Sequence, residues 1–187
     1  MKTRQASLPE DSRKTMLLAK YGDRETFLRT YNPDTQIAVC ADRERCFMGE
    51  YPTLAELRRA YGDSVPSVWL IPQLLDLSEF CGCRNKLYGK PLEQCADVIA
   101  AEYYFLKVSE LMLFFQRFKS GRYGVFFGSV DPLVITTSLR EFIAERNVEI
   151  GHYEEAERDR QEREHRKQAI SYEEYLRRKQ QENIQPK

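Results

Sequence analysis

Histidine is nearly missing from this chain, with two in 187 residues, and tryptophan occurs once. Net charge is missing altogether, since 29 Lys and Arg stand against 29 Asp and Glu. No apolar run approaches the roughly 18 residues that read as a membrane span. Residues 1–11 lack the basic-then-apolar run of a secretory signal. The five cysteines, Cys40, Cys46, Cys81, Cys83 and Cys95, are odd in number and irregular in spacing, unlike a secreted disulfide framework. Together these absences predict a soluble, cytoplasmic protein with reduced thiols and no membrane contact. They also remove the overall basic charge that marks most nucleic-acid-binding chains.

The shortage of histidine limits catalysis further. His152 and His165 both fall in a polar C-terminal stretch, so no buried, oriented imidazole is on offer. Glu162-Arg163-Glu164-His165 matches one Glu-x-x-His half-motif, but a carboxylate-bridged dimetal site needs two, plus two further Glu. Cys81-Gly82-Cys83 with Cys95 lacks the paired spacing and the fourth ligand of a zinc site. Gly121, Gly124 and Gly128 fit neither a Walker A loop nor a dinucleotide fingerprint. Asp131 would also place a carboxylate where a helix N-terminus would hold phosphate. The expectation is a non-enzymatic protein without metal or cofactor.

What is present is helical. Charge is balanced in each region: nine basic and eight acidic residues in 1–50, eleven and twelve in 51–150, nine and nine in 151–187. The last stretch is about half charged, while the middle hundred residues hold most of the aromatics and aliphatics. The predicted organisation is therefore an N-terminal segment (1–50) with short helices, a helical core (51–150), and a charged helical tail (151–187), with the composition break near Gly151. Residues 10–20 read as a short helix, and Ile37–Cys40 reads as either a strand or irregular chain. Thr53-Leu54-Ala55-Glu56 is a capping box that opens a helix ending at Gly62. Val68–Phe80 contains Pro72, which either kinks one helix or starts one after a short extended piece. A helix follows from Pro91 to Leu106. The next, from Ser109 to Lys119, is apolar nearly all round and so predicted to be buried, with Leu111, Phe115 and Phe118 in the core. Asp131-Pro132 starts a helix running to about Arg146, and glutamate–arginine pairs four apart support another through the tail, broken near Ile170. The fold class is all-α, with about five helices in an irregular compact core followed by the charged extension.

Nine of the 22 aromatics... lie between Tyr103 and Phe127, where they interleave with cations. Arg117, Lys119, Arg122, Tyr123 and Phe127 form a candidate DNA- or RNA-binding patch, with cations for phosphates and rings for unpaired bases. The competing reading makes the rings core and the cations a helix end favoured by its dipole. A second candidate surface is the tail, where Tyr153, Ile170, Tyr172, Tyr175 and Leu176 would anchor a protein partner. Self-association is a third reading.

The segments Leu106–Phe115, Arg117–Gly124 and Gly128–Pro132 resemble a family of unknown function from mobile elements and prophages of Bacteroides-like bacteria. The resemblance covers residues 50–150. It implies a bacterial cytoplasm and a role in element or phage maintenance, but it assigns no activity and no catalytic residue; a host or phage protein is the partner expected on the interaction reading.

Overall fold

The computed structural model describes residues 10–168 together with Tyr175, Arg177 and Lys179. It divides into two compact units, residues 1–146 and 147–187. The described residues form nine α-helices and one short 3-10 turn: α1 (Glu10–Tyr21), α2 (Arg24–Thr30), the turn Pro33–Thr35, α3 (Gln36–Val39), α4 (Arg43–Met48), α5 (Leu54–Tyr61), α6 (Val65–Phe80), α7 (Gly89–Glu102), α8 (Val108–Lys119) and α9 (Pro132–Gln168). Among the described residues β-pairing is limited to two isolated bridges, Thr53 with Lys107 and Asn85 with Ser129. The protein is all-α.

Local sequence accounts for most helix starts. Asp23 and Asp42 accept hydrogen bonds from Thr26 N and Arg45 N at 2.8 and 2.9 Å, capping α2 and α4. The capping box at Thr53 closes in both directions, with Glu56 N donating to Thr53 Oγ1 at 3.2 Å and Thr53 N donating to Glu56 Oε2 at 2.8 Å. α6 runs as one helix through Pro72, and its N-terminus lies three residues earlier than the apolar run alone indicates, with Pro66 in its first turn.

Three elements differ from expectation. Ile37–Val39 is a helix rather than a strand or irregular chain: Asn32 Oδ1 accepts from Thr35 N, and the resulting 3-10 turn leads directly into α3. α7 begins at Gly89, whose φ of +60° suits glycine, and not at Pro91. α9 is unbroken at Gly151, because one glycine costs a long helix only about 1 kcal/mol.

The core of the first unit is built around α8. Leu111, Phe114 and Phe115 are fully buried and Phe118 nearly so, and α3, α4 and α6 pack against this helix. Phe114 lies edge-on to Phe115, Phe118 and Phe142, with centroids 5.2–5.9 Å apart, and stacks on Tyr123 at 5.5 Å. Several polar groups inside are paired with one another. Trp69 Nε1 and Gln73 Nε2 both donate to Tyr31 O, at 2.7 and 3.0 Å, and Gln36 Nε2 donates to Gln73 Oε1 at 2.6 Å. These bonds fix the segment before α3 against α6.

Candidate functional site

The aromatic and basic patch singled out by sequence spans the end of α8 and the loop after it, and stops short of α9. Gly121, Gly124 and Gly128 all have positive φ, and the chain reverses there. The turn carries cations back toward α9, where Glu145 collects them. Arg117 Nη1 lies 3.3 Å from Glu145 Oε2, Arg122 Nε lies 2.9 Å from Oε1, and Tyr123 Oη donates to Oε2 at 2.8 Å. The Arg117 guanidinium also sits 5.9 and 5.8 Å from the ring centres of Phe47 and Phe142.

Electrostatics follow from this packing. Burial pushes the Glu145 carboxyl up, but the hydrogen bonds from Arg122 and Tyr123 and the two guanidinium charges outweigh it, leaving the group below its ordinary value. Tyr123 is pushed up, first by burial and then by its bond to the Glu145 carboxylate. A second pair lies nearby: Arg146 Nε donates to Glu110 Oε1 at 2.8 Å, and Lys107 N to Glu110 Oε2 at 2.8 Å. Glu110 is fully buried, and that burial raises its carboxyl despite both bonds. Lys119 pairs with Asp76, donates to Gln36 Oε1 at 3.0 Å, and lies 5.8 Å from the Phe80 ring centre.

The predicted nucleic-acid patch therefore divides. Arg117 and Tyr123 are buried, at 6 and 7% exposure, and face the core rather than solvent. Lys119 and Arg122 are engaged by carboxylates. Phe127 alone stands out, at 88% exposure. The physical reason is that the sequence shows a cluster of cations, while their counter-charges Glu145 and Asp76 lie 23–43 residues away.

Around Phe127 the structure assembles something that sequence reasoning missed. Asn85 N donates to Gly128 O at 3.1 Å and Val130 N donates to Asn85 O at 2.9 Å, tying the loop after α6 to the loop before α9. Leu87 N donates to Ser78 Oγ at 2.8 Å and anchors the first loop to α6. These two loops and their flanking residues carry Phe80, Tyr88, Val125, Phe127 and Leu133, all more than 60% exposed. Isolated exposed apolar residues are ordinary, but three large ones on two mutually fixed loops, with Phe80 ending α6 and Leu133 in the first turn of α9, are a candidate binding surface. The aromatic Phe126-Phe127 pair between glycines was the available signal.

The other candidates are placed as follows. Tyr153 is partly buried and Tyr175 is exposed, while Ile170, Tyr172 and Leu176 lie outside the described residues. In the second unit, Arg160 pairs with Glu157 at 3.0 Å and Arg166 with Glu162 at 3.9 Å, each within one turn of helix. Cys81 and Cys83 are half-buried after α6, and Cys95 is buried on α7. Among the described residues no three His, Cys, Asp or Glu side chains gather as metal ligands. At the start of α9, Asp131 Oδ1 accepts from Leu133 N at 2.8 Å, so a carboxylate already occupies that helix end. No described helix is long and apolar enough to cross a membrane.

A family of unknown function (DUF6633) is matched over residues 90–185, and the chain belongs to that family. No curated protein and no solved structure matches the chain.

Proposed function

We propose that this member of the family is a non-enzymatic accessory protein of a bacterial mobile element or phage, acting in the cytoplasm by binding another protein. The observation that carries this reading is the apolar surface on the two loops joined through Asn85, with Phe127 at its most exposed point. Apolar side chains held on fixed loops lose little freedom when a partner covers them, which favours association. The charged helix of the second unit supplies a separate polar arm, on which Tyr153 and Tyr175 remain candidate contacts. The competing reading, DNA or RNA binding, is supported by Arg122, which keeps 47% of its side chain exposed, and by Phe127 five residues on.

Affinity capture from the host with the full chain separates the readings. Wild type is expected to retain a protein partner that Phe127→Asp loses, with the thermal midpoint of the variant unchanged because the side chain is solvated. Deleting residues 151–187 tests the tail: unchanged capture assigns binding to the loops alone. In parallel, a labelled oligonucleotide titrated at about 50 mM salt is expected not to bind. Binding that weakens with salt and with Arg122→Ala would replace the protein-partner reading by the nucleic-acid one.

A further inference from the structure

The two loops that Asn85 joins run side by side over several residues. Cys83 Sγ lies 4.0 Å from Phe126 O, and Asn85 pairs through its backbone with Gly128 and Val130. Arg84, between those two anchors, therefore stands at the register of Phe127 on the neighbouring loop. At the α6 and α8 ends, Phe118 and Phe126 stack with centroids 5.2 Å apart, and the Lys119 ammonium lies over the Phe80 ring. The exposed apolar side chains thus stand on an anchored surface, and cations are set among them.

The charge on these loops is of one sign. Residues 81–90 carry Arg84, Lys86 and Lys90, residues 119–130 carry Lys119 and Arg122, and neither stretch has an Asp or Glu. Three of the five cations are matched by carboxylates on flanking helices: Lys86 by Glu79, Lys119 by Asp76 and Arg122 by Glu145. Arg84 and Lys90 are exposed, and among the described residues no carboxylate pairs with either. Asp131, the next acid along the chain, already accepts from Leu133 N through Oδ1. Two positive charges are left over, one at the register of Phe127 and one two residues from Tyr88.

We propose that this surface binds an acidic amphipathic segment of its partner protein, whose apolar side chains cover Tyr88, Val125 and Phe127 while its Asp or Glu side chains pair with Arg84 and Lys90. The inference rests on the protein-binding reading above and adds the chemistry of what is bound. A carboxylate meeting an arginine can accept two parallel hydrogen bonds, which fixes its position as well as attracting it. Charges around such a contact steer encounter and select among partners, while the desolvated apolar centre supplies most of the affinity. A nucleic-acid strand suits the surface less. Such strands are held by many phosphate contacts, and two free cations offer few. Val125 and Leu133 also present aliphatic groups where an unpaired base would need a ring.

The test pans the full chain against a random displayed peptide library, with Phe127→Asp as the counter-selecting bait. Peptides enriched on wild type are expected to combine aromatic or aliphatic residues with an excess of Asp and Glu over Lys and Arg. A synthetic copy of the leading peptide, titrated by fluorescence anisotropy, should bind more weakly as salt rises. Reversing both free cations, Arg84→Glu with Lys90→Glu, should weaken it about tenfold, as two exposed pairs become repulsions. The last arm reverses the peptide as well: with its Asp and Glu replaced by Lys, it should bind the reversed protein better than wild type.

Enriched peptides that are neutral or basic, or an affinity unmoved by salt and by charge reversal, would overturn the inference. If Phe127→Asp still abolishes binding in that case, the protein-binding reading survives and only the acidic character of the partner is lost. A library that yields nothing over the Phe127→Asp bait removes both. Tighter binding of a labelled single-stranded oligonucleotide than of the peptide would assign the surface to nucleic acid instead. Circular dichroism of the reversed protein checks that its fold is retained, and the salt dependence of wild type needs no variant.

Discussion

Glu145 and Glu157 stand twelve residues apart on the same helix, and each is paired with arginine. Glu145, in the first unit, holds Arg117, Arg122 and Tyr123 from 22–28 residues away, and two of those three partners are buried. Glu157, in the second, holds Arg160 and Gln161 from its own next turn, in solvent. The chemistry is the same and the consequence is not. Exposed pairs exchange water for a flexible partner with little net gain. A pair inside the protein contributes little more when complete, but losing one member strands the other away from water. The first unit thus uses charge to fix how α8, the turn and α9 fit together. The second uses it to keep a helix solvated.

The largest effect is expected at Glu145. Glu145→Ala should destabilise the protein by about 3 kcal/mol in urea denaturation, because buried Arg117 loses its carboxylate. A loss no larger than that of Glu157→Ala would erase the comparison. The two acidic groups of the first unit also predict opposite pH behaviour. Glu145 titrates lower in the folded state than its ordinary 4.5, so its contribution is present above that pH and disappears as pH falls through the folded value. Glu110 titrates higher when folded, so its contribution is present below 4.5 and fades as pH rises through the folded value. The stability gap between wild type and Glu145→Gln should therefore shrink in acid, while the corresponding gap for Glu110→Gln shifts in favour of the variant as pH rises.

An intermediate effect is expected at Thr53. Its partner Glu56 is as local as any in the tail, but the pair satisfies backbone donors at a helix start. Thr53→Ala should cost about 1 kcal/mol, measured by thermal unfolding. The smallest effect belongs to Glu157→Ala, at most about 0.5 kcal/mol and smaller still in high salt. A salt-insensitive loss of several times that size would show the exposed helix to be more than a solvated surface.

Legibility in the sequence follows the same division. Features settled within a few residues were readable: the Thr53 capping box, the Asp131-Pro132 start of α9, and the burial of Leu111, Phe115 and Phe118. Features settled by distant residues were not. Nothing local marks Glu145 as the receiver of Arg117, so the cations beside aromatics read equally as a surface. Ile37–Cys40 reads as either a strand or irregular chain because its short apolar run carries no helical period, although the preceding Asn-Pro turn directs a helix. The exposed loop surface depends on Asn85 meeting Gly128 and Val130, more than forty positions along the chain. Composition placed a boundary near Gly151, where the helix itself continues.

One junction bears on where a working fragment can begin. The region shared with the family opens at residue 90, yet the start of α8 is knitted to residues well before it. Val108 N donates to Pro52 O, Leu54 N to Leu106 O and Ala55 N to Tyr104 O, at 2.8–3.0 Å. Lys107 Nζ reaches Phe47 O and Gly49 O at 2.6 and 2.9 Å. A piece cut at residue 90 would keep the shared sequence and lose the strap that seats its most buried helix. In this chain the segment matched by the family is shorter than the segment on which its most buried helix depends.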